Sequence, residues 1–416
     1  MSAESIVIKH HTKNIQGTVQ LTGSKSESNR ALIIRSLSNG LVEIQNLSEA
    51  ADTVTLEAAL KLAENAGQEN TLIDIGPAGT AMRFLTSYLN LIPGKFTLTG
   101  TERMQQRPIG ILVDALKDLG AEIHYQNKVG FPPLLIEGGM YQSKDQVTIK
   151  GDISSQYISS LLLVAANLEK GLKLEIEGEL TSKPYVSMTL AMLKECGIES
   201  EFSTNSIQIN PQTYQSTTIY VEPDWSAASY WYAIVALAQN AHIVLPGLKE
   251  NSLQGDFAII EIMSHFGVNS TFKSDGLHLE KSDLQSDKTL FDFKECPDLA
   301  QTIVVIAAAL KKEVSFTGLE TLKIKETDRI AALQTEIAKF GAALIADGNV
   351  YHLKTEKVHD PGNLKFATYE DHRMAMAFAP LALVFDQICI EDPQVVEKSY
   401  PDFWKHLSNQ NFDLLT

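Results

Sequence analysis

Cysteine is scarce: the 416 residues contain Cys196, Cys296 and Cys389, odd in number and far apart. They suggest neither a disulfide framework nor a paired-cysteine metal site, and a reducing cytoplasm is the expected compartment. No stretch approaches the roughly 18 consecutive apolar residues of a membrane-spanning helix. The opening MSAESIVIKHHTKN has no apolar core long enough for a secretory signal. Basic residues are outnumbered 35 to 51, leaving a net charge of −16, whereas nucleic-acid binders usually carry the opposite balance. Several catalytic signatures are also missing. There is no GxSxG nucleophile elbow, no HExxH zinc motif, no GxGxxG after a strand and no GxxxxGK[ST] phosphate loop. What remains is 44% hydrophobic and 21% charged, an ordinary globular composition. The length suggests two or three domains.

An internal repeat organises the chain. The signature is apolar, any, apolar, any, then Gly, Asn or Asp, read as a half-buried strand and its turn. It occurs at Val42–Asn46, Phe96–Gly100, Leu174–Gly178, Ile243–Gly247, Val314–Gly318 and Ile388–Asp392. An Ala/Leu-rich segment of helical length precedes each copy, near 28–39, 79–92, 154–168, 225–239, 298–311 and 372–385. A helix–Gly–strand pattern falls between copies, at 112–125, 189–202, 259–272 and 337–347. In the first of these Leu112, Val113, Leu116 and Leu119 make one apolar helical face. Gly120 suits the left-handed position beyond the helix end, and Pro108 suits the first turn. The chain therefore reads as six helix–strand–helix–strand repeats of an α/β fold. The first, between Asn46 and Gly100, is about twenty residues shorter than the others.

Polar residues gather where these helices begin. The first helix follows Gly23-Ser24-Lys25-Ser26-Glu27-Ser28-Asn29-Arg30, whose small residues leave backbone N–H groups open at an end that favours anions. A capped helix with solvated charges reads the same way. The other starts carry Gly76–Arg83, Gly151–Gln156, Asp224-Trp225-Ser226, Pro297-Asp298 and Asp371-His372-Arg373. The segments after the signature strands add Arg103, Arg107, Ser182, Lys183, Lys325–Arg329 and Lys398. Arginine pairs well with planar carboxylates and phosphates, and hydroxyls suit a polyhydroxylated ring. Glu326 and Asp298 are candidate proton-transfer groups, although a carboxylate among cations is often an ion pair. A positive site in an acidic molecule attracts small anions.

The motifs LTGSKSESNRALIIRSL, GPAGTAMRF, TERMQQRPIGILVDAL, SSQYISSLLL, SKPYVSMTL, KIKETDRI and YEDHRMAMAF stand in order from near residue 18 to near Phe403. Together they closely resemble the EPSP synthase family, the 3-phosphoshikimate 1-carboxyvinyltransferases. The resemblance implies two domains, each a pseudo-threefold set of βαβαββ units. One would span 20–222; the other would combine 1–19 with 223–416, with the active site in the cleft between them. The implied reaction transfers the enolpyruvyl group of phosphoenolpyruvate to the 5-hydroxyl of shikimate 3-phosphate and releases phosphate. This is a step of the shikimate pathway toward chorismate and aromatic amino acids. A cytoplasmic monomer acting on these two small molecules is expected, with no cofactor, no metal, no nucleic acid and no membrane.

Matched motif by motif, the resemblance implies that shikimate 3-phosphate is bound by Lys25, Ser26, Arg30, Ser154, Ser155, Gln156, Ser182, Asp298 and Lys325. Phosphoenolpyruvate would meet Lys25, Gly79, Arg107, Gln156, Arg329, Arg373 and Lys398. Protonating the methylene carbon makes its neighbour electrophilic, the 5-hydroxyl attacks, and the tetrahedral adduct then loses phosphate and a proton. Glu326 and Lys25 are the candidates for that proton traffic, and Asp298 would position or deprotonate the hydroxyl. The chain departs from the family where Pro77 and Thr321 replace a common Asn, and where residues 66–75 lack a strand and loop. Two alternatives stand beside this reading. One is the sister transferase acting on UDP-N-acetylglucosamine, which usually carries a reactive Cys in the loop corresponding to Arg103–Arg107. The other is a non-catalytic anion-binding relative.

Overall fold

The computed structural model describes residues 4–67, 69–151, 154–203, 205–283 and 286–415. Its contacts divide the chain into two compact units, Gly23–Val221 and Met1–Thr22 with Glu222–Thr416. Each unit has its own apolar core, because the buried hydrophobic residues fall into two clusters that follow the same division.

All six signature strands form. In five of the six repeats the strand sits second in a four-stranded sheet. A parallel neighbour lies on one side and an antiparallel pair on the other. In Gly23–Val221 one such sheet runs Asn70–Asp74, Lys95–Thr99, Leu134–Glu137, Glu122–Tyr125. A second runs Gln146–Lys150, Leu172–Glu177, Ser206–Ile209, Glu201–Phe202. Among the described residues the other unit builds three sheets. The N-terminal strand Asn14–Thr18 opens the one around Asn240–Leu245, and Ser5–Lys9 joins the one around Ile388–Glu391. The N-terminus thus completes two repeats of the C-terminal unit.

The short first repeat shows in the sheet it builds. Val42–Gln45 pairs in parallel with Thr217–Tyr220, and among the described residues that sheet stops at two strands. After Ala51–Glu64 the chain passes directly to Asn70–Asp74 of the next sheet. The antiparallel pair that four of the other repeats build after their second helix has no counterpart here among the described residues.

The turn residue of the signature has a physical reason. Asn46, Gly178, Gly247, Gly318 and Asp392 all adopt positive φ, between 44° and 82°, a region that only Gly, Asn and Asp enter at little cost. Gly100 differs. Its Cβ would lie 2.5 Å from the Gly76 carbonyl oxygen, so close backbone approach requires the glycine.

The helices divide into two kinds. Those before the signature strands pack on one another inside their unit, and two of them, Trp225–Leu237 and Ala300–Ala309, are apolar nearly all round, as burial on every side demands. Every residue of Ala300–Ala309 is buried, as is every residue of Trp225–Leu237 except Ser226. Those after the signature strands are amphipathic; Gly110–Leu119 buries Leu112, Val113, Ala115, Leu116 and Leu119 and ends on left-handed Gly120. Pro108 lies before the cap Ile109 rather than in the first turn. Its carbonyl accepts from the Tyr157 hydroxyl at 2.6 Å. Among the described residues no helix is long and apolar enough to cross a membrane.

Candidate active site

The repeat places polar residues at equivalent points. Lys25, Gly79 and Ser155 are the first residues of three inner helices. Ser226 and Arg373 are the second residues of two more, and Asp298 lies in the turn Pro297–Leu299 that leads into the sixth. Arg329 begins the outer helix Arg329–Ala338, and Lys398 ends the turn Pro393–Lys398.

In the C-terminal unit these residues form one ionic cluster around Arg329, whose side chain is 2% exposed. Its Nε donates to Asp371 Oδ2 at 2.6 Å, Nη1 to Asp298 Oδ1 at 3.0 Å and Nη2 to Glu326 Oε2 at 2.9 Å. Lys325 Nζ lies 3.5 Å from Asp298 Oδ1, and Lys398 Nζ lies 3.5 Å from Glu326 Oε1. Arg373 Nη2 pairs with Asp298 Oδ2 at 2.9 Å, so Asp298 is gripped on both oxygens. Burial opposes ionisation of Asp298, but Arg373, Lys325 and Arg329 outweigh it and hold the carboxyl well below the ordinary carboxylate range. Burial likewise opposes the charge on Arg329, and Asp371, Glu326 and Asp298 overcome it, raising its pKa. Lys325 is lowered, first by desolvation.

A second carboxylate stands behind this cluster. Asp256 Oδ2 accepts a hydrogen bond from the Ser226 hydroxyl, which is also 3.4 Å from Arg373 Nη2. Asp256 Oδ1 is buried with no hydrogen-bond partner among the described residues. Burial, then the Asp298 charge, pushes Asp256 up to about 7. The sequence reading passed over Asp256. It stands nine residues after Gly247, in the polar segment that follows the fourth signature strand, and that segment was the available signal.

In the unit Gly23–Val221, Ser24 caps the first helix and Lys25 Nζ reaches Asp52 Oδ2 at 3.2 Å. Arg30 is 2% exposed. Its Nε donates to Thr189 Oγ1 at 2.7 Å, Nη1 to the Ser26 carbonyl at 2.8 Å, and Nη2 to Ser159 Oγ at 3.1 Å and the Tyr185 carbonyl at 3.2 Å. Arg30 thus ties three helices together, and burial lowers its pKa to about 10. Ser154 caps the helix Ser155–Ala165 through Gln156 N–H; Asp152 and Ile153 of the same motif lie outside the described residues. Gln156 Nε2 donates to Thr80 Oγ1 at 3.2 Å, beside Gly79.

Gly79 is pressed against guanidinium groups. A Cβ there would sit 2.6 Å from Arg107 Nη1 and 3.0 Å from Arg83 Nη1. Arg83 Nη1 donates to the Gly79 carbonyl at 2.9 Å. Arg107 Nε is buried with no hydrogen-bond partner among the described residues. Gly79, Arg107 and Gln156 therefore belong to one neighbourhood, and Arg30 and Ser26 to another with Thr189. Ser182 is the left-handed cap (φ 52°) of the helix Lys183–Glu195, which supplies that Thr189. Thr321 is in the turn Glu320–Ile324, its hydroxyl buried with no hydrogen-bond partner among the described residues.

Comparison with known proteins places the chain in a family. A family model described as EPSP synthase (3-phosphoshikimate 1-carboxyvinyltransferase) matches residues 9–407. A 3-phosphoshikimate 1-carboxyvinyltransferase of Bacteroides fragilis is 47% identical over 402 residues, covering 96% of each chain. One of Shewanella halifaxensis is 36% identical over 423 residues, covering 95% of this chain and 97% of its own. Among solved structures, an EPSP synthase from Acinetobacter baumannii superimposes with a TM-score of 0.79 at 19% identity over the whole of both chains. The enolpyruvyl transferase NikO from Streptomyces tendae does so at 0.73 and 15%, over 99% and 98% of the two chains; these two likenesses speak for the fold alone. With a family model spanning nearly all of its length and a relative at 47% identity, the chain belongs to the EPSP synthase (3-phosphoshikimate 1-carboxyvinyltransferase) family.

Proposed function

We propose that the Arg329 cluster and the residues around Lys25, Arg30, Gly79 and Ser154–Gln156 serve one reaction on one pair of anionic substrates. That reaction is the family's: the enolpyruvyl group of phosphoenolpyruvate passes to the 5-hydroxyl of shikimate 3-phosphate, and phosphate leaves. It is favoured over transfer to UDP-N-acetylglucosamine by the family match and by the relatives' names.

The observation that carries the site assignment is the grouping of Asp298, Lys325, Glu326, Arg329, Arg373 and Lys398 in one ionic network. Such a network presents several cations and two acids to an incoming carboxylate and phosphate, and charge-assisted bonds of that kind are the strong ones. Arg329, Arg373 and Lys398 would take phosphoenolpyruvate, with Lys25, Gly79, Arg107 and Gln156 of the other unit. Lys325 and Asp298 would take shikimate 3-phosphate, with Lys25, Ser26, Arg30, Ser154, Ser155, Gln156 and Ser182.

The roles follow from the acids' surroundings. A carboxyl held well below the usual range is a poor proton acceptor, so Asp298 would orient the 5-hydroxyl rather than take its proton. Glu326 reaches Arg329 with one oxygen and Lys398 with the other. With Lys25, it would deliver a proton to the methylene carbon and remove one in the second step. As the neighbouring carbon becomes cation-like, the oxygen of the 5-hydroxyl bonds to it, and the hydroxyl proton would leave with the departing phosphate. Fixed charges around such a centre need no rearrangement during reaction, which is where electrostatic catalysis gains most. The two small-molecule substrates are the partners this reading requires; a monomer and a cytoplasmic setting belong to the same proposal.

The test is phosphate release with both substrates present and with each alone, repeated for Arg373→Ala. The proposal expects release only with both. It also expects Arg373→Ala to weaken phosphoenolpyruvate roughly ten- to hundredfold, more than shikimate 3-phosphate. Equal losses for the two substrates would contradict the assignment.

A further inference from the structure

We propose that the sheet around Asn240–Leu245 carries a binding site for a borderline divalent transition-metal ion, of which Zn2+ is the type, built by His242, His278 and Glu280. The proposal is independent of the reaction above, since none of the three residues belongs to the Arg329 cluster.

The register creates the site. Strands Asn240–Leu245 and Gly276–Lys281 pair antiparallel with His242 opposite Glu280 and Val244 opposite His278. Directly opposed residues share a face, and so do residues two apart on one strand. His242, His278 and Glu280 are therefore side by side. One ligand atom from each lies within 4.8 Å of the others. His242 Nε2 is 2.9 Å from His278 Nδ1 and 3.8 Å from Glu280 Oε1.

Two further features favour a metal over an ordinary surface pair. His278 is 8% exposed, and its other nitrogen, Nε2, is fixed to Asp275 Oδ1 at 2.8 Å. A carboxylate on the far nitrogen is the usual device for orienting a ligating imidazole and raising its basicity. Here it aims Nδ1 at His242. Two imidazoles and one carboxylate are also a donor set that suits zinc with an open fourth position. Zinc ligands at about 2.0–2.2 Å in a tetrahedral site stand roughly 3.3–3.6 Å apart. The two ring nitrogens must open by about half an ångström to reach that spacing. His242 and Glu280 have side chains 40% and 54% exposed, so both can turn to do it.

One group competes. Lys273 Nζ lies 3.4 Å from His278 Nδ1, within reach of the lone pair a metal would need. Lys273 is exposed at the end of its strand, so a metal ion can displace it into water. The site would be weakened by that lysine, which makes a gain-of-affinity test available.

The experiment uses untagged full-length protein stripped with a chelator. Zn2+ is titrated calorimetrically, and Co2+ by its visible absorption. We expect about one equivalent of Zn2+ to bind, with affinity reduced about tenfold or more by His242→Gln. Lys273→Ala should tighten binding, and Co2+ should show tetrahedral-type absorption bands that His242→Gln removes. His11→Gln, at a separate exposed histidine–carboxylate pair (2.9 Å from Asp413), should leave affinity unchanged. Because His278 is buried, Glu280→Gln serves as the second ligand variant, with a smaller loss. No uptake at about 100 μM Zn2+, or equal affinity in wild type and His242→Gln, would overturn the proposal.

Discussion

Arg329 and Asp371 form a fork in the interior of the C-terminal unit: Nε meets Oδ2 at 2.6 Å and Nη2 meets Oδ1 at 3.3 Å, with side chains 2% and 0% exposed. Asp371 also caps the helix His372–Phe378, because Oδ1 accepts from Arg373 N–H at 2.9 Å. Removing one partner of a buried pair leaves the other charge uncompensated, at a cost of about 3–5 kcal/mol. Loss of the cap adds about 1 kcal/mol. Asp371→Ala is therefore expected to lower stability by several kcal/mol, read from urea unfolding followed by circular dichroism. A midpoint unchanged from wild type would show that Arg329 finds its compensation elsewhere.

Glu326 sits at the rim of the same cluster with 16% of its side chain exposed, so its replacement disturbs the interior less. Glu326→Gln keeps the shape and the contact with Arg329 while removing a proton donor and acceptor. Turnover is expected to fall by about 10²–10⁴, with substrate affinities near wild type. Single-turnover chemistry at the wild-type rate would rule Glu326 out of proton transfer.

Gly79→Ala puts a methyl group 2.6 Å from Arg107 Nη1 and 3.0 Å from Arg83 Nη1. These are the ends of long side chains, so the fold can yield, and Arg107 must move. Its displacement should raise the phosphoenolpyruvate KM by about tenfold, equivalent to one lost charged contact. The shikimate 3-phosphate KM should change little. A larger effect on shikimate 3-phosphate would reverse the assignment of Arg107.

The parts of this architecture that were legible in the sequence are those governed by local chemistry. Alternating apolar residues ending on Asn46 or Gly178 announce a strand and a left-handed turn, and the short interval from Asn46 to Gly100 announces an incomplete repeat. What the sequence did not disclose depends on long-range pairing. Arg30 reads as an anion-facing charge, yet its contacts lie with Ser159, Tyr185 and Thr189, more than a hundred residues away. Asp256 carries no local mark of its bond to Ser226. His242, His278 and Glu280 become neighbours only through strand register. Pro108 stands just before the cap Ile109 rather than in the first turn, and the bond its carbonyl accepts from Tyr157 is likewise a contact from another helix.

The thiols separate by burial. Cys196 and Cys296 are buried and Cys389 is partly exposed. Burial, with Glu195 nearby, pushes the Cys196 thiol up to about 12, and burial raises Cys296 further. Since the thiolate is the reactive form, a maleimide should label Cys389 first in the native protein and leave the other two until unfolding. Activity should survive that first labelling. Inactivation by Cys389 labelling alone would mean that this strand bears on catalysis.

Asp256 predicts a pH dependence whose sign can be worked out. Unfolded, its carboxyl titrates near 3.9; folded, burial and then the Asp298 charge raise it to about 7. Below pH ~4 both states hold the proton and the group contributes no slope. Between ~4 and ~7 the folded state retains a proton that the unfolded state has lost, so stability falls as pH rises through this window. Above it the cost of burying the charge is present in full. Asp256→Asn removes the titration and keeps an oxygen to accept from Ser226. The difference in melting temperature, variant minus wild type, should therefore rise from pH 5 to about pH 7 and level off by pH 8. Activity offers an independent reading, because an ionised Asp256 adds a second negative neighbour to Arg373 and Asp298. A melting difference that is flat from pH 5 to pH 8 would mean that Asp256 is ionised throughout that range.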